Sequence, residues 1–246
     1  MYSTVTYKIF QTDSSPAGTR YLIQDSDDNF YYGRMTKFTG NLQDPNVYVK
    51  RPCILAKSPG YGTFPSVWAQ LTERKISVGE VLARNPHPNV CQYLGVVTAP
   101  PPVSARITDI AYKRYSCDLQ DFFNSGYLRS PAQVWIIMQG LRAGLDHMHK
   151  LGFVHCDLNP TNVFLRTWTA PETRSSPPNS VIFEAAIGDF DTVTRVGKVI
   201  EFKRAPDDWW PYELGIDFDD PAAVEIDDAC VKKTEEWLKS KIDHAD

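Results

Sequence analysis

No apolar run in the 246-residue chain approaches the length of a membrane span, and no apolar signal-peptide core follows Met1. The reading is therefore a protein with no membrane partner, placed in the cytoplasm. No long basic run is present either, and the formal net charge is −4. Phosphate neutralisation needs clustered Lys and Arg, so nucleic acid is not an expected partner. The five cysteines (Cys53, Cys91, Cys117, Cys156 and Cys230) are odd in number, widely spaced and free of any C-x-x-C pairing. That pattern argues for free thiols in a reducing compartment, against both a disulfide framework and a zinc site. No internal repeat is found. With 42% hydrophobic and 23% charged residues, the composition is globular rather than disordered.

The first half carries strand signals. Arg20–Gln24 and Phe30–Met35 flank the polar turn Asp25-Ser26-Asp27-Asp28-Asn29, which predicts a hairpin. Asn46–Lys50 is β-branched and aromatic, a third strand. Residues 57–65, with two Pro and two Gly, read as a loop. Leu71, Val78, Val81 and Leu82 predict a helix over Val67–Arg84, with Gly79 as a flaw in it. Pro86-His87-Pro88 stops that helix, because proline lacks an N–H and restrains its predecessor. Val90–Val97 and Arg106–Tyr112 read as two more strands around Pro100-Pro101-Pro102.

From Pro131 the period changes. Val134, Ile137, Met138, Leu141, Leu145 and Met148 recur every three or four residues, the stripe of a long core helix. Thr167–Ser180, rich in Pro, Ser and Thr, is expected to be an exposed insertion between strands. Asp227–Ile242 is expected to be a final helix, with Asp227 and Asp228 at its anion-favouring start and Lys239 and Lys241 near its end. Strands first and helices later, with a break near residues 115–120, describe a β-rich lobe joined to a helical lobe.

The densest chemical signal is His155-Cys156-Asp157-Leu158-Asn159-Pro160-Thr161-Asn162-Val163, directly after the long helix. It resembles the catalytic loop of eukaryotic-type protein kinases, H-R-D-L-x-x-x-N. Ile187-Gly188-Asp189-Phe190-Asp191 follows in the right order and resembles the D-F-G element, with the Pro/Ser-rich insertion explaining the gap. Val47-Tyr48-Val49-Lys50 is similar to the V-A-I-K strand. Pro86–Val90 resembles the turn after helix αC, Trp210–Leu214 a loose A-P-E-L, and Ile226–Val231 the start of helix αF, whose aspartate anchors the catalytic loop in that family. The resemblance runs from about Tyr21 to Leu238.

The chain departs from the family at several positions. The first hairpin turn has no glycine and three carboxylates, where a phosphate clamp needs bare backbone N–H groups. Asp191 stands in place of the D-F-G glycine, a D-F-D also common in fungal kinase-like proteins. Cys156 replaces the H-R-D arginine that pairs with a phosphorylated activation loop, so dependence on such phosphorylation is not expected. Asn159 replaces the lysine typical of Ser/Thr kinases. Counting back from Pro86 gives no clear αC glutamate; Glu73 and Glu80 are the candidates. Helices αG to αI are not expected after αF.

The resemblance implies an α+β, protein-kinase-like fold, with a β-rich N-lobe over 1–114 and a shortened helical C-lobe over 115–246. It implies an ATP-dependent phosphotransferase of serine/threonine type with Mg-ATP between its lobes. Asp157 would be the base, Lys50 would hold the phosphates, and Asn162 and Asp189 would hold Mg²⁺. Two other readings stay open: a pseudokinase acting as a binding module, and a small-molecule kinase. A protein substrate or partner is expected. Ala229, Val231, Trp237, Leu238 and Ile242 on the last helix are expected to form an apolar patch for a dimer or partner, unless Trp209, Trp210, Tyr212 and Phe218 fold over them.

Overall fold

The computed structural model describes residues 8–15, 18–24, 30–51, 65–98, 107–128, 130–169, 181–201 and 203–242. The polar hairpin turn, residues 57–64 of the expected loop, the triple-proline turn and residues 170–180 of the expected insertion lie outside them. The residues divide into two compact units, 1–86 with 92–114, and 87–91 with 115–246.

In the first unit, β1 (Lys8–Ser15), β2 (Gly18–Gln24) and β3 (Phe30–Met35) form an antiparallel sheet in sequence order. The expected hairpin is the β2–β3 pair, whose register runs from Thr19–Met35 to Gln24–Phe30. A second antiparallel sheet has the order β4 (Val47–Lys50), β6 (Ile107–Lys113), β5 (Tyr93–Thr98). After β3 the chain bridges to β5: Phe38 N–H donates to the Val96 carbonyl and Val96 N–H to that of Thr36.

Helix α1 (Pro65–Arg84) packs against β5, and it starts two residues earlier than its apolar period suggests. Pro65, expected to end a loop, opens the helix instead, where its missing N–H has no helical partner to lose. Gly79 is a requirement here rather than a flaw. A Cβ on it would lie 2.5 Å from the ring of buried Tyr93. The close approach of helix to strand overrides helix propensity.

The second unit is organised by α3 (Pro131–Lys150). Ser130 caps it: its hydroxyl accepts the Gln133 N–H at 3.3 Å, and the Gln133 side chain accepts the Ser130 N–H at 3.1 Å. All six residues of the apolar stripe are buried, each stabilising by about 1.5–3 kcal/mol relative to exposure. This helix packs against β10 (Val181–Ile187), which pairs with β9 (Val163–Thr169) and through it with β7 (Cys117–Asp118). The pairing of β9 with β10 extends to Thr169–Val181, so residues 167–169, expected in the insertion, belong to a strand. The short helix α2 (Leu119–Asn124) is capped by Asp118. Strands β8 (Phe153–Val154) and β11 (Thr194–Arg195) pair with each other and bracket the segment between them.

Val90 and Cys91, expected in a strand with 92–97, belong instead to the second unit. Ile187 N–H donates to the Asn89 carbonyl, and Cys91 N–H returns to that of Ile187. The last helix, α4, spans Val224–Ile242. The expected apolar patch on it is not formed by the described side chains named for it. Val231 and Leu238 are buried, and Ala229 and Trp237 are half-buried; the Ile242 side chain is outside the described residues. Ile226 sits in a core cluster with Val154, Cys156, Ile200, Ala205, Trp210 and Ala222, against which Trp209 also packs. Trp209 and Phe123 meet the Trp237 ring edge-on. The segment before α4 is what covers it, through Trp209 and Trp210, while Tyr212 and Phe218 stay exposed.

Candidate active site

The segment 155–162 is held from below by Asp227 in the first turn of α4. This carboxylate is fully buried and accepts the His155 N–H at 2.8 Å, the Cys156 N–H at 3.0 Å and a contact from His149 Nε2 at 2.8 Å. Three donors around one carboxylate make a rigid mount. Burial pulls the His149 pKa down, but the hydrogen bond and charge of Asp227, with Asp228 and Asp146, outweigh it and leave it raised. Cys156 sits at φ 61°, a conformation that L side chains rarely adopt. Its fixed N–H, bonded to Asp227, and its carbonyl, which accepts the Ala205 N–H at 2.9 Å, hold it there.

The same segment presents three side chains on short bonds. Asn159 Nδ2 donates to Asp157 Oδ1 at 2.7 Å, while Asn159 Oδ1 accepts from the Thr161 N–H and hydroxyl. Asn162 Nδ2 donates to the Asp157 carbonyl at 2.8 Å, which leaves its Oδ1 as an acceptor. The Asn162 carbonyl in turn accepts the Gly188 N–H at 2.9 Å. Asp157, Asn162 and the residue before Asp189 are thus joined by two hydrogen bonds.

Gly188 is close-packed. A Cβ there would fall 2.7 Å from Cys91 Sγ and 2.8 Å from the Phe164 ring. Its carbonyl meets His155 Nε2 at 3.0 Å, and His155 Nδ1 accepts the Asp157 N–H at 3.3 Å. His155 therefore ties the loop to the 188–190 turn, with the proton assigned to Nε2 by these two partners. Asp189 follows at φ 60°, half-buried. Cys156 and Asp189, two non-glycine residues in the left-handed region, are backbone outliers of the kind concentrated at functional sites.

The sequence reading did not include Lys203. Its ammonium lies 3.4 Å from Asp157 Oδ2 and 3.0 Å from Asp191 Oδ1. Burial lowers its pKa, and the charges of Asp191, Asp157 and Asp189 more than reverse that. Burial raises the pKa of Asp157, and the positive charge of Lys203 acts against it. Asp191, read as a bare replacement for glycine, has a partner. The available signal was an unbalanced carboxylate at that position, which calls for a cation.

Lys50 is the half-buried last residue of β4, in the first unit, where it pairs in register with Ile110. Of the αC-glutamate candidates, the side chain of Glu73 is outside the described residues. Glu80 is buried and accepts from the Thr36 N–H, from the Thr36 hydroxyl at 3.0 Å and from Tyr93 OH at 3.1 Å. Those contacts give Glu80 a structural duty between α1, β5 and the chain after β3. In the Trp210–Leu214 stretch, Glu213 is exposed with Lys233 at 3.8 Å. Trp210 is fully buried, its indole N–H donating to the Ile216 carbonyl.

The oxygen groups that the sequence analysis assigns to a cation, the Oδ1 of Asn162 and the carboxylate of Asp189, are hard donors. Among the described residues no group of three His, Cys, Asp or Glu side chains could hold a metal alone. Magnesium needs fewer, because it takes one or two carboxylates together with substrate phosphates and water. The donor chemistry fits Mg²⁺.

No family model matches the chain, and no curated protein matches it. Solved structures do. A chain of the yeast RNA Pol II CTD kinase CTDK-1 complex aligns over 98% of this chain with a TM-score of 0.56 and 14% identity. This chain spans 64% of the length of that one. The fold is protein-kinase-like, with small antiparallel sheets and helices.

Proposed function

We propose that the chain is an ATP-dependent phosphotransferase, a serine/threonine-type kinase of the fungal kinase-like kind. The observation that carries this reading is the pair of hydrogen bonds at Asn162, to the Asp157 carbonyl and from the Gly188 N–H. These bonds tie the backbone at Asp157 and Gly188 together through Asn162, which supports reading Asp157, Asn162 and Asp189 as one constellation. Asp157 accepts the proton of the attacking hydroxyl. The new O–P bond forms at the γ-phosphorus, the bond to the β–γ bridging oxygen breaks, and ADP leaves. Asn162 and Asp189 hold Mg²⁺, which neutralises charge on the phosphates when bound. Lys50 takes the α- and β-phosphates in this scheme. The Asp227 mount keeps the Asp157 backbone in place, which matters because positioning and charge supply most of the rate in this chemistry. A cytoplasmic location, with a protein as hydroxyl donor, completes the reading.

Transfer of label from γ-labelled Mg-ATP to a panel of Ser/Thr-containing proteins tests it. Labelled phosphoserine or phosphothreonine, lost in Asp157→Asn, is the expected result. Label on an aminoglycoside or choline and on no protein would move the assignment to a small-molecule kinase. No transfer together with no nucleotide binding would favour a binding module.

A further inference from the structure

We propose that Lys203, from the segment after Asp189, is a catalytic residue of this site: its ammonium neutralises the γ-phosphoryl beside Asp157, and Asp191 is there to aim it. The inference rests on the phosphotransferase reading above.

A carboxylate base next to a transferring phosphoryl group places like charges together, and a cation must stand between them. The position two residues after Asp157 cannot supply it. Asn159 is neutral, and its amide is engaged by Asp157 Oδ1, the Thr161 N–H and the Thr161 hydroxyl. The other carboxylate oxygen of Asp157 faces Lys203 at 3.4 Å, and Asp191 holds the same ammonium at 3.0 Å. Asn159, Asp191 and Lys203 thereby form one network around Asp157. The lysine side chain remains 40% exposed. A point charge with three rotatable donors can keep its carboxylates and still reach a phosphoryl oxygen.

A purely structural tether is the competing explanation. The backbone already provides one: Ala205 N–H donates to the Cys156 carbonyl at 2.9 Å, and Ala205 is buried in the core cluster below the loop. Fixing the segment does not require a lysine two residues earlier, placed on the base.

The experiment is a double-mutant cycle on the full chain with Lys203→Met, Asp191→Asn and the pair, read by Mg-ATP turnover and by calorimetric binding of Mg-ATP and Mg-ADP. Thermal unfolding confirms that each variant folds. Lys203→Met is expected to lower kcat by about 100-fold while shifting KM for ATP by no more than about threefold. Its preference for Mg-ATP over Mg-ADP should fall, since ADP lacks the γ-phosphoryl. Asp191→Asn should lower kcat in the wild-type background and add nothing in the Lys203→Met background. Wild-type turnover with unchanged kcat in Lys203→Met overturns the role of Lys203 and leaves the phosphotransferase reading intact. Independent, additive losses overturn the aiming role of Asp191. A wild-type chain that neither binds nor turns over Mg-ATP overturns the functional reading and this inference with it.

Discussion

At Asp227 a single buried carboxylate meets two backbone N–H groups and the ring of His149. The pair makes fold stability depend on pH in a defined direction. A histidine whose folded pKa is raised binds its proton more tightly in the native state, so its stabilisation is fully present below the unfolded value of about 6.5 and is lost as pH rises through the folded value. His149→Gln should therefore cost stability below about pH 6.5 and progressively less above it. Urea denaturation of both proteins across that range checks this, and a difference that stays flat with pH would contradict the His149–Asp227 assignment. Local spacing picked out Asp157, Asn162 and Asp189 as candidates, and the structure joins the first two to the residue before the third. Spacing also picked out the aspartate at the start of the last helix, where Asp227 accepts two N–H groups of the loop. Each lies in a short motif whose chemistry depends on near neighbours. Lys203 was not legible. It reaches Asp157 across 46 positions only because the chain between them folds back, and no local pattern records that.

Among the elements, the long helices were plain because a repeating apolar stripe is a strong periodic signal. Every stripe residue of α3 is buried. Strand β1 and helix α2 went unread for physical reasons. Lys8–Ser15 is mostly polar and has little alternation, and a six-residue helix is too short to display a period. Gly79 exposes the limit of propensity reasoning. In an exposed helix, alanine for glycine gains about 1 kcal/mol. In α1 the added Cβ meets Tyr93, which Glu80 and burial hold in place. Gly79→Ala should instead destabilise the chain by about 1–3 kcal/mol through overpacking. Equilibrium urea unfolding decides it, and a stability equal to or above wild type would show that α1 and β5 are not packed this closely.

For the whole molecule, the order of elements carried the fold reading, and the likeness to a chain of a kinase complex agrees with it at an identity too low to carry activity. The apolar face expected on α4 shows why composition alone misjudges a surface. Trp209 and Trp210 precede α4 in sequence and fold back over it, so the helix is covered by its own chain. The central claim is that Asp189 and Asn162 bind nucleotide through Mg²⁺. Thermal unfolding with and without Mg-ATP at about 100 times its Kd tests it most directly, since a ligand that binds only the folded state adds about 2.7 kcal/mol at that excess. The account predicts a rise in Tm that requires both ATP and Mg²⁺ and disappears in Asp189→Ala. A Tm unmoved by Mg-ATP, or moved equally in Asp189→Ala, would contradict it.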